Sequence, residues 1–149
     1  MLKQGKPRSS KGLATFCARI ADDKIAKNIL ILDLKTIDMS PSEYFVICTS
    51  DSVTQVRAIS DEIYSKSKEV KIQTPKVEGM DTANWVIMDF FDVVVHIMTK
   101  EAREFYQLER LWGDSDFYSI DEAGKPVKLK DYKPDFSQVI ESGEMIHHI

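Results

Sequence analysis

The sequence predicts an α/β fold, a mixed β-sheet flanked by helices, on three observations. Residues 29–34, Ile-Leu-Ile-Leu-Asp-Leu, run almost without a polar break. Such a strand is buried on both faces, which asks for helices on each side of the sheet. Residues 85–98 hold two apolar runs joined by a tight acidic link, the pattern of an antiparallel hairpin. Finally, the predicted order α-β-β-α-β-β-β-α does not alternate strictly, so a uniformly parallel doubly wound sheet is excluded.

The elements follow from the start of the chain. Residues 1–9 are polar, contain Gly5 and Pro7, and read as a flexible N-terminus. Leu13, Phe16, Cys17 and Ile20 recur at i, i+3, i+4, i+7, which predicts an amphipathic helix from about Ser10 to about Lys27. Strands follow at 29–34 and, after the Ser40-Pro41-Ser42 break, at 44–49, where all but Cys48 are β-branched or aromatic. Ser52 is placed to cap the next helix, with Gln55 completing a capping box, and Val53, Val56, Ile59 and Ile63 keep an apolar face to about Lys68. Residues 70–73 alternate and predict a short edge strand stopped by Pro75. Glu78-Gly79 signals a turn or bulge. The hairpin link Asp89-Phe90-Phe91-Asp92 lacks the glycine or asparagine of a two-residue primed turn, so either the loop is longer or one residue is strained. Thr99 is an N-cap for a helix from Lys100 to about residue 110, with Phe105, Leu108 and Trp112 on its apolar side. The domain then spans 10–113. Residues 114–149 carry scattered apolar residues with Gly124, Pro126, Pro134 and Gly143, and read as an extension, extended or partly disordered, that adds little to the core.

Composition narrows the function. The chain has 149 residues, 43% of them hydrophobic, which fits one domain able to bury a core. Its net charge of −4 disfavours wrapping bare nucleic acid, which wants a basic stripe, but leaves a basic protein surface open as a partner. Cys17 and Cys48 make no C-x-x-C pair and no zinc spacing, and read as buried hydrophobes in a reducing cytosol. No run approaches the ~18 apolar residues of a membrane span, and no apolar stretch follows the basic start as in a secretory signal. A cytoplasmic protein is expected.

The candidate chemistry is thin. Asp89, Asp92 and His96 invite a metal or acid–base reading, but a catalytic metal site needs three convergent ligands, and none is expected here. His96 reads equally as a buried, hydrogen-bonded residue or as part of a binding face. Thr49-Ser50-Asp51-Ser52 lies where a phosphate could be cradled, yet no glycine allows close approach and no Gly-Lys-Ser/Thr follows, so a capping turn fits better. His147 and His148 at the chain end are not read as metal ligands. Trp85, Tyr106 and Trp112 are residue types enriched at interface hot spots, though each also suits a core. Glu78, Glu101, Glu104 and Glu109 could complement a basic partner. No cofactor motif is present.

Several segments in succession carry a resemblance: Asp33-Leu34, residues 42–49, Glu78-Gly79, Trp85 with Asp89, residues 92–96, and residues 103–112 (Arg-Glu-Phe-Tyr-Gln-Leu-Glu-Arg-Leu-Trp). Together they resemble the ribosomal silencing factor, or Iojap, family over about residues 13–115. The resemblance implies a nucleotidyltransferase-like fold, usually a homodimer, and no enzyme activity. It implies binding to the large ribosomal subunit through the fourteenth large-subunit protein, on the face that meets the small subunit. Occupying that face blocks subunit joining and silences translation when nutrients are short. The functional surface it implies is Glu78, Trp85, Asp89, His96, Arg103, Tyr106 and Glu109. Three positions depart from the family pattern: Glu43 stands for aspartate, Ser50 for glycine, and Phe91 for the glycine of the hairpin link.

Two other classes compete with this one. A nucleotidyltransferase needs a Gly-Ser after the first strands and two or three carboxylates around magnesium; Thr49-Ser50 lacks the glycine, and no strand carries Asp-x-Asp. A dimeric adaptor with a non-ribosomal partner is the remaining alternative.

Overall fold

The computed structural model describes residues 4–132; the expectations for 1–3 and 133–149, including His147 and His148, lie outside them. Helix α1 (Ser10–Asp23) leads into β1 (Lys27–Asp33) and β2 (Tyr44–Ser50). Helix α2 (Val53–Glu69) follows, then β3 (Lys76–Glu78), β4 (Trp85–Asp89) and β5 (Val93–Thr99). Two short helices, α3 (Lys100–Tyr106) and α4 (Leu108–Leu111), precede β6 (Asp116–Ile120) and β7 (Pro126–Lys128). The strands form one seven-stranded sheet in the order β3-β4-β5-β2-β1-β6-β7. Only β2 and β5 pair in parallel, so the sheet is mixed, as expected.

Local chemistry explains the boundaries. The Ser9 hydroxyl accepts from Gly12 N–H and starts α1, while left-handed Ile25 (φ 64°) ends the helical stretch short of Lys27. Ser52 Oγ accepts from Gln55 N–H at 3.1 Å, the predicted cap of α2. The reciprocal bond of a capping box goes elsewhere: Gln55 Oε1 accepts from Asp51 N–H at 3.4 Å. Thr99 Oγ1 accepts from Ala102 N–H at 3.3 Å and caps α3 as expected.

Three expectations need correction. Residues 70–73 form no strand: the Val70 and Lys71 N–H groups close the end of α2 on Lys66 and Lys68 carbonyls, and Lys71 is left-handed (φ 63°). The edge strand is β3, which begins just after Pro75 instead of being stopped there. The helix from Lys100 breaks at Gln107, whose left-handed backbone (φ 48°) turns α4 away from α3. Third, the segment after Gly113 is not peripheral where it is described. Strand β6 pairs with β1, Phe117 is buried, and Tyr132 packs on Phe117 with ring centroids 4.8 Å apart. Phe117 occupies the register row of Leu32 and Phe45, so the extension completes a core layer. Helices lie on both faces, as the doubly buried strand predicts, but unequally: α1 and α2 on one, the short α3 and α4 on the other.

Alternation of side chains along each strand separates two cores. Ile31, Val46, Cys48, Val86, Met88, Val95 and Ile97 face α1 and α2 and are closed off from solvent. Leu30, Leu32, Phe45, Ile47 and Met98, with Phe117 beside them, face the other way, under Ala102 of α3 and Leu108 of α4. The second cover is short. Toward β4 the face is open, and Trp85, Ile87 and Val94 are only half-buried.

Candidate functional site

The open face begins at the start of β4. Gly79, at φ +92°, lets the preceding loop pack against this strand: a Cβ there would lie 2.2 Å from the Trp85 carbonyl oxygen. Only glycine fits such an approach. Asn84 O accepts from Thr99 N–H at 2.9 Å, so the start of β4 and the cap of α3 are tied together. That bond brings Trp85 beside the helix that carries Tyr106.

Trp85 Nε1–H donates to His96 Nδ1 at 3.1 Å. The imidazole proton therefore sits on Nε2, which is buried without a hydrogen-bond partner. Burial pushes the His96 pKa down to about 4, because a charged imidazolium would lose its water. The ring is neutral at physiological pH. Phe45 meets it edge-on at 4.5 Å, and Trp112 meets Phe45 at 5.7 Å. On the other side Trp85 packs on Tyr106 at 4.8 Å, and Tyr106 on Phe105 at 4.9 Å. A continuous aromatic strip thus runs from the buried sheet to the surface, where Tyr106 is 39% exposed.

Arg103 holds the short helices to the sheet. Its guanidinium donates through Nη1 to Thr49 Oγ1 at 2.8 Å and to the Asn28 carbonyl. Its Nε lies 3.4 Å from Glu109 Oε1, with both side chains mostly buried. The contact is an ion pair without a well-aligned hydrogen bond. Its desolvated setting still makes removal of either partner costly.

The seven residues singled out in the sequence divide on this frame. Trp85, His96, Arg103, Tyr106 and Glu109 come together. Glu78 and Asp89 lie on the same face but apart. Glu78, Ile87 and His96 share one register row, so Glu78 stands two strands from the histidine, about 10 Å away. Asp89 is four residues along β4 from Trp85, about 13 Å away. It caps the hairpin tip, accepting from Phe91 N–H at 2.7 Å. Phe91 is the strained residue of that link, at φ 78°. Phe45 was missed as a member of the strip, although its register opposite Val94, one residue pair from His96, gives it the same parity.

Nothing here is arranged for covalent chemistry. Burial raises both thiols, Cys48 to about 12, so neither is a thiolate. No group of three or more potential ligands could hold a metal among the described residues. No helix among them is long and apolar enough to cross a membrane.

Residues 7–142 match the family described as ribosomal silencing factor during starvation. The chain belongs to the ribosomal silencing factor family. It is 42% identical over 113 residues to the ribosomal silencing factor of Bacillus subtilis, covering 76% of this chain and 95% of that protein. It is 41% identical over 100 residues to the one of Haemophilus influenzae, covering 67% and 97%. Among solved structures, a Chromobacterium violaceum protein superposes with a TM-score of 0.67 at 30% identity, over 71% of this chain and 88% of that one. The family regulates translation and is not a family of enzymes.

Proposed function

We propose that this protein acts in the cytoplasm by occupying the large ribosomal subunit. It binds at the joining face, through the fourteenth large-subunit protein, and sterically blocks association with the small subunit. Translation is thereby repressed under nutrient limitation. The observation that carries this reading is the open sheet face, where half-buried Trp85 and exposed Tyr106 stand on a rigid, hydrogen-bonded frame. Large aromatics held in one rotamer lose little entropy on binding and dominate interface energies. Exposed Glu78, Asp89 and Glu104 give the same region acidic groups suited to a basic protein surface. In this reading Trp85, Tyr106, Glu78 and Asp89 touch the partner, while His96, Arg103 and Glu109 hold the contacting residues in place. The free protein is proposed to be a homodimer, as the family resemblance implies.

Co-sedimentation of the pure protein with separated subunits tests the reading. Binding to large subunits and not to small ones is expected. Equal binding to both would indicate attraction by charge alone and remove the specific claim.

A further inference from the structure

On the open face Trp85, Ile87 and Val94 stand half-buried beside exposed Tyr106. The described residues end on this same side of the sheet. Tyr132 packs on Phe117, and Phe117 shares a register row with Leu32, Phe45 and Val94. Phe117 and Val94 are three strand spacings apart in that row, about 14 Å. Four residues of extended chain span about 13 Å, so Phe136 comes within reach of Val94. In the sequence Phe136, Val139 and Ile140 recur at i, i+3, i+4, and Ile146 lies seven residues after Val139. That is the spacing of one helix face. Ser137, Gln138, Glu141, Ser142 and Glu144 fall between them.

We propose that residues 136–146 dock on the open face of their own chain as an amphipathic helix and cover Trp85, Ile87 and Val94 until the ribosomal partner displaces them. The lengths agree. From Val94 to Trp85, four residues along the strands and one strand across, is about 14 Å; residues 136–146 as a helix span about 15 Å. Asp135, Glu141 and Glu144 meet a face that carries exposed Glu78, Asp89 and Glu104. Like charges keep the cover weak, which a displaceable segment needs. The tail is thus an autoinhibitory contact, competing for the surface that the partner takes. This inference rests on the ribosomal reading given above for what displaces it.

The test compares the full chain as wild type and as the double variant Val139→Asp/Ile140→Asp. The chain has two tryptophans, Trp85 and Trp112, and both lie on this side of the sheet. Acrylamide quenching of their fluorescence therefore reads the cover without any ribosome. The variant should give the wild-type circular dichroism, a higher quenching constant, and roughly tenfold tighter binding to purified large subunits, as expected if about a tenth of the wild type is uncovered at any moment. Equal quenching in the two proteins would overturn the proposal. So would higher quenching with unchanged affinity, which shows a cover that does not compete, or weaker binding by the variant, which makes the tail a ribosome contact. An unfolded variant would make the tail part of the core. Wild-type shielding that is lost on dilution would assign the cover to a second copy; each of these overturns the proposal as well. If neither protein binds large subunits while quenching still rises in the variant, the ribosomal reading fails and the docked tail stands.

Discussion

The two faces of the sheet are built from the same strands and end up with different work. On the face under α1 and α2, Val86, Val95 and Ile97 are completely buried and make only apolar contacts. On the other face, His96 and Met98 are buried but Trp85, Ile87 and Val94, beside them, are not. The cover there is the short α3 and α4, and it ends before β4. A face covered by a 17-residue helix has no surface left to offer. A face covered by α3, with seven residues, leaves aromatics supported from below and open above. Rigidity and exposure coexist because the polar atoms of the strip, Trp85 Nε1 and His96 Nδ1, satisfy each other inside the domain.

The largest expected effects are those that break the closed parts of the molecule. Phe117→Ala should cost about 3–5 kcal/mol of stability by urea unfolding, since it empties a core layer shared with Leu32 and Phe45. A loss below about 1 kcal/mol would return β6 to a peripheral role. Arg103→Ala should cost about 3–5 kcal/mol, because it strands the mostly buried Glu109 without its ion pair. Restoring much of that loss in the double variant with Glu109→Gln would show that the stranded charge is the cause.

On the open face the balance should invert. Tyr106→Ala should change stability by less than about 1 kcal/mol yet weaken large-subunit binding by about 2 kcal/mol, roughly thirtyfold. Trp85→Ala should weaken binding as much, with a larger loss of stability from the broken bond to His96. Glu78→Lys is expected to weaken binding, the more so as salt falls, where like charges are less screened. Circular dichroism must show each variant folded.

Near neutral pH the smallest effect is a pH dependence, which grows only on acidification. Unfolded His96 takes up a proton near pH 6.5, while the folded ring resists it down to about pH 4. The unfolded state therefore binds more protons between those values, and stability falls as pH drops through that window. The contribution is at most about 3 kcal/mol. Above pH 6.5 it is absent, because both states are neutral. Subtracting the pH profile of His96→Leu from that of wild type should isolate it, and superimposable profiles would show that the ring is hydrated in the folded state.

Much of this was legible in the sequence, for physical reasons that also explain the misses. Strand parity and apolar runs located β1, β2, β4 and β5, because burial imposes a two-residue period. Caps at Ser52 and Thr99 were legible because a hydroxyl before a helix has few other uses. The break at Gln107 was not: a left-handed glutamine carries no compositional mark. Nor was β6, since Asp116, Tyr118 and Ser119 hide the single buried Phe117 between polar neighbours. The site divided along the same line. Trp85, His96 and Tyr106 were found and gather in space, but that Arg103 and Glu109 face each other inside depends on the turn at Gln107, which the helical pattern conceals.

In the proposed function, binding through the open face is sufficient to prevent subunit joining. Purified large and small subunits mixed with increasing protein, with joined ribosomes and bound protein measured in the same samples, test it most directly. Joining should fall in proportion to occupancy of the large subunit, and folded Trp85→Ala or Tyr106→Ala should lose both together. Full occupancy with undiminished joining, or a block by folded variants that no longer bind, would contradict it.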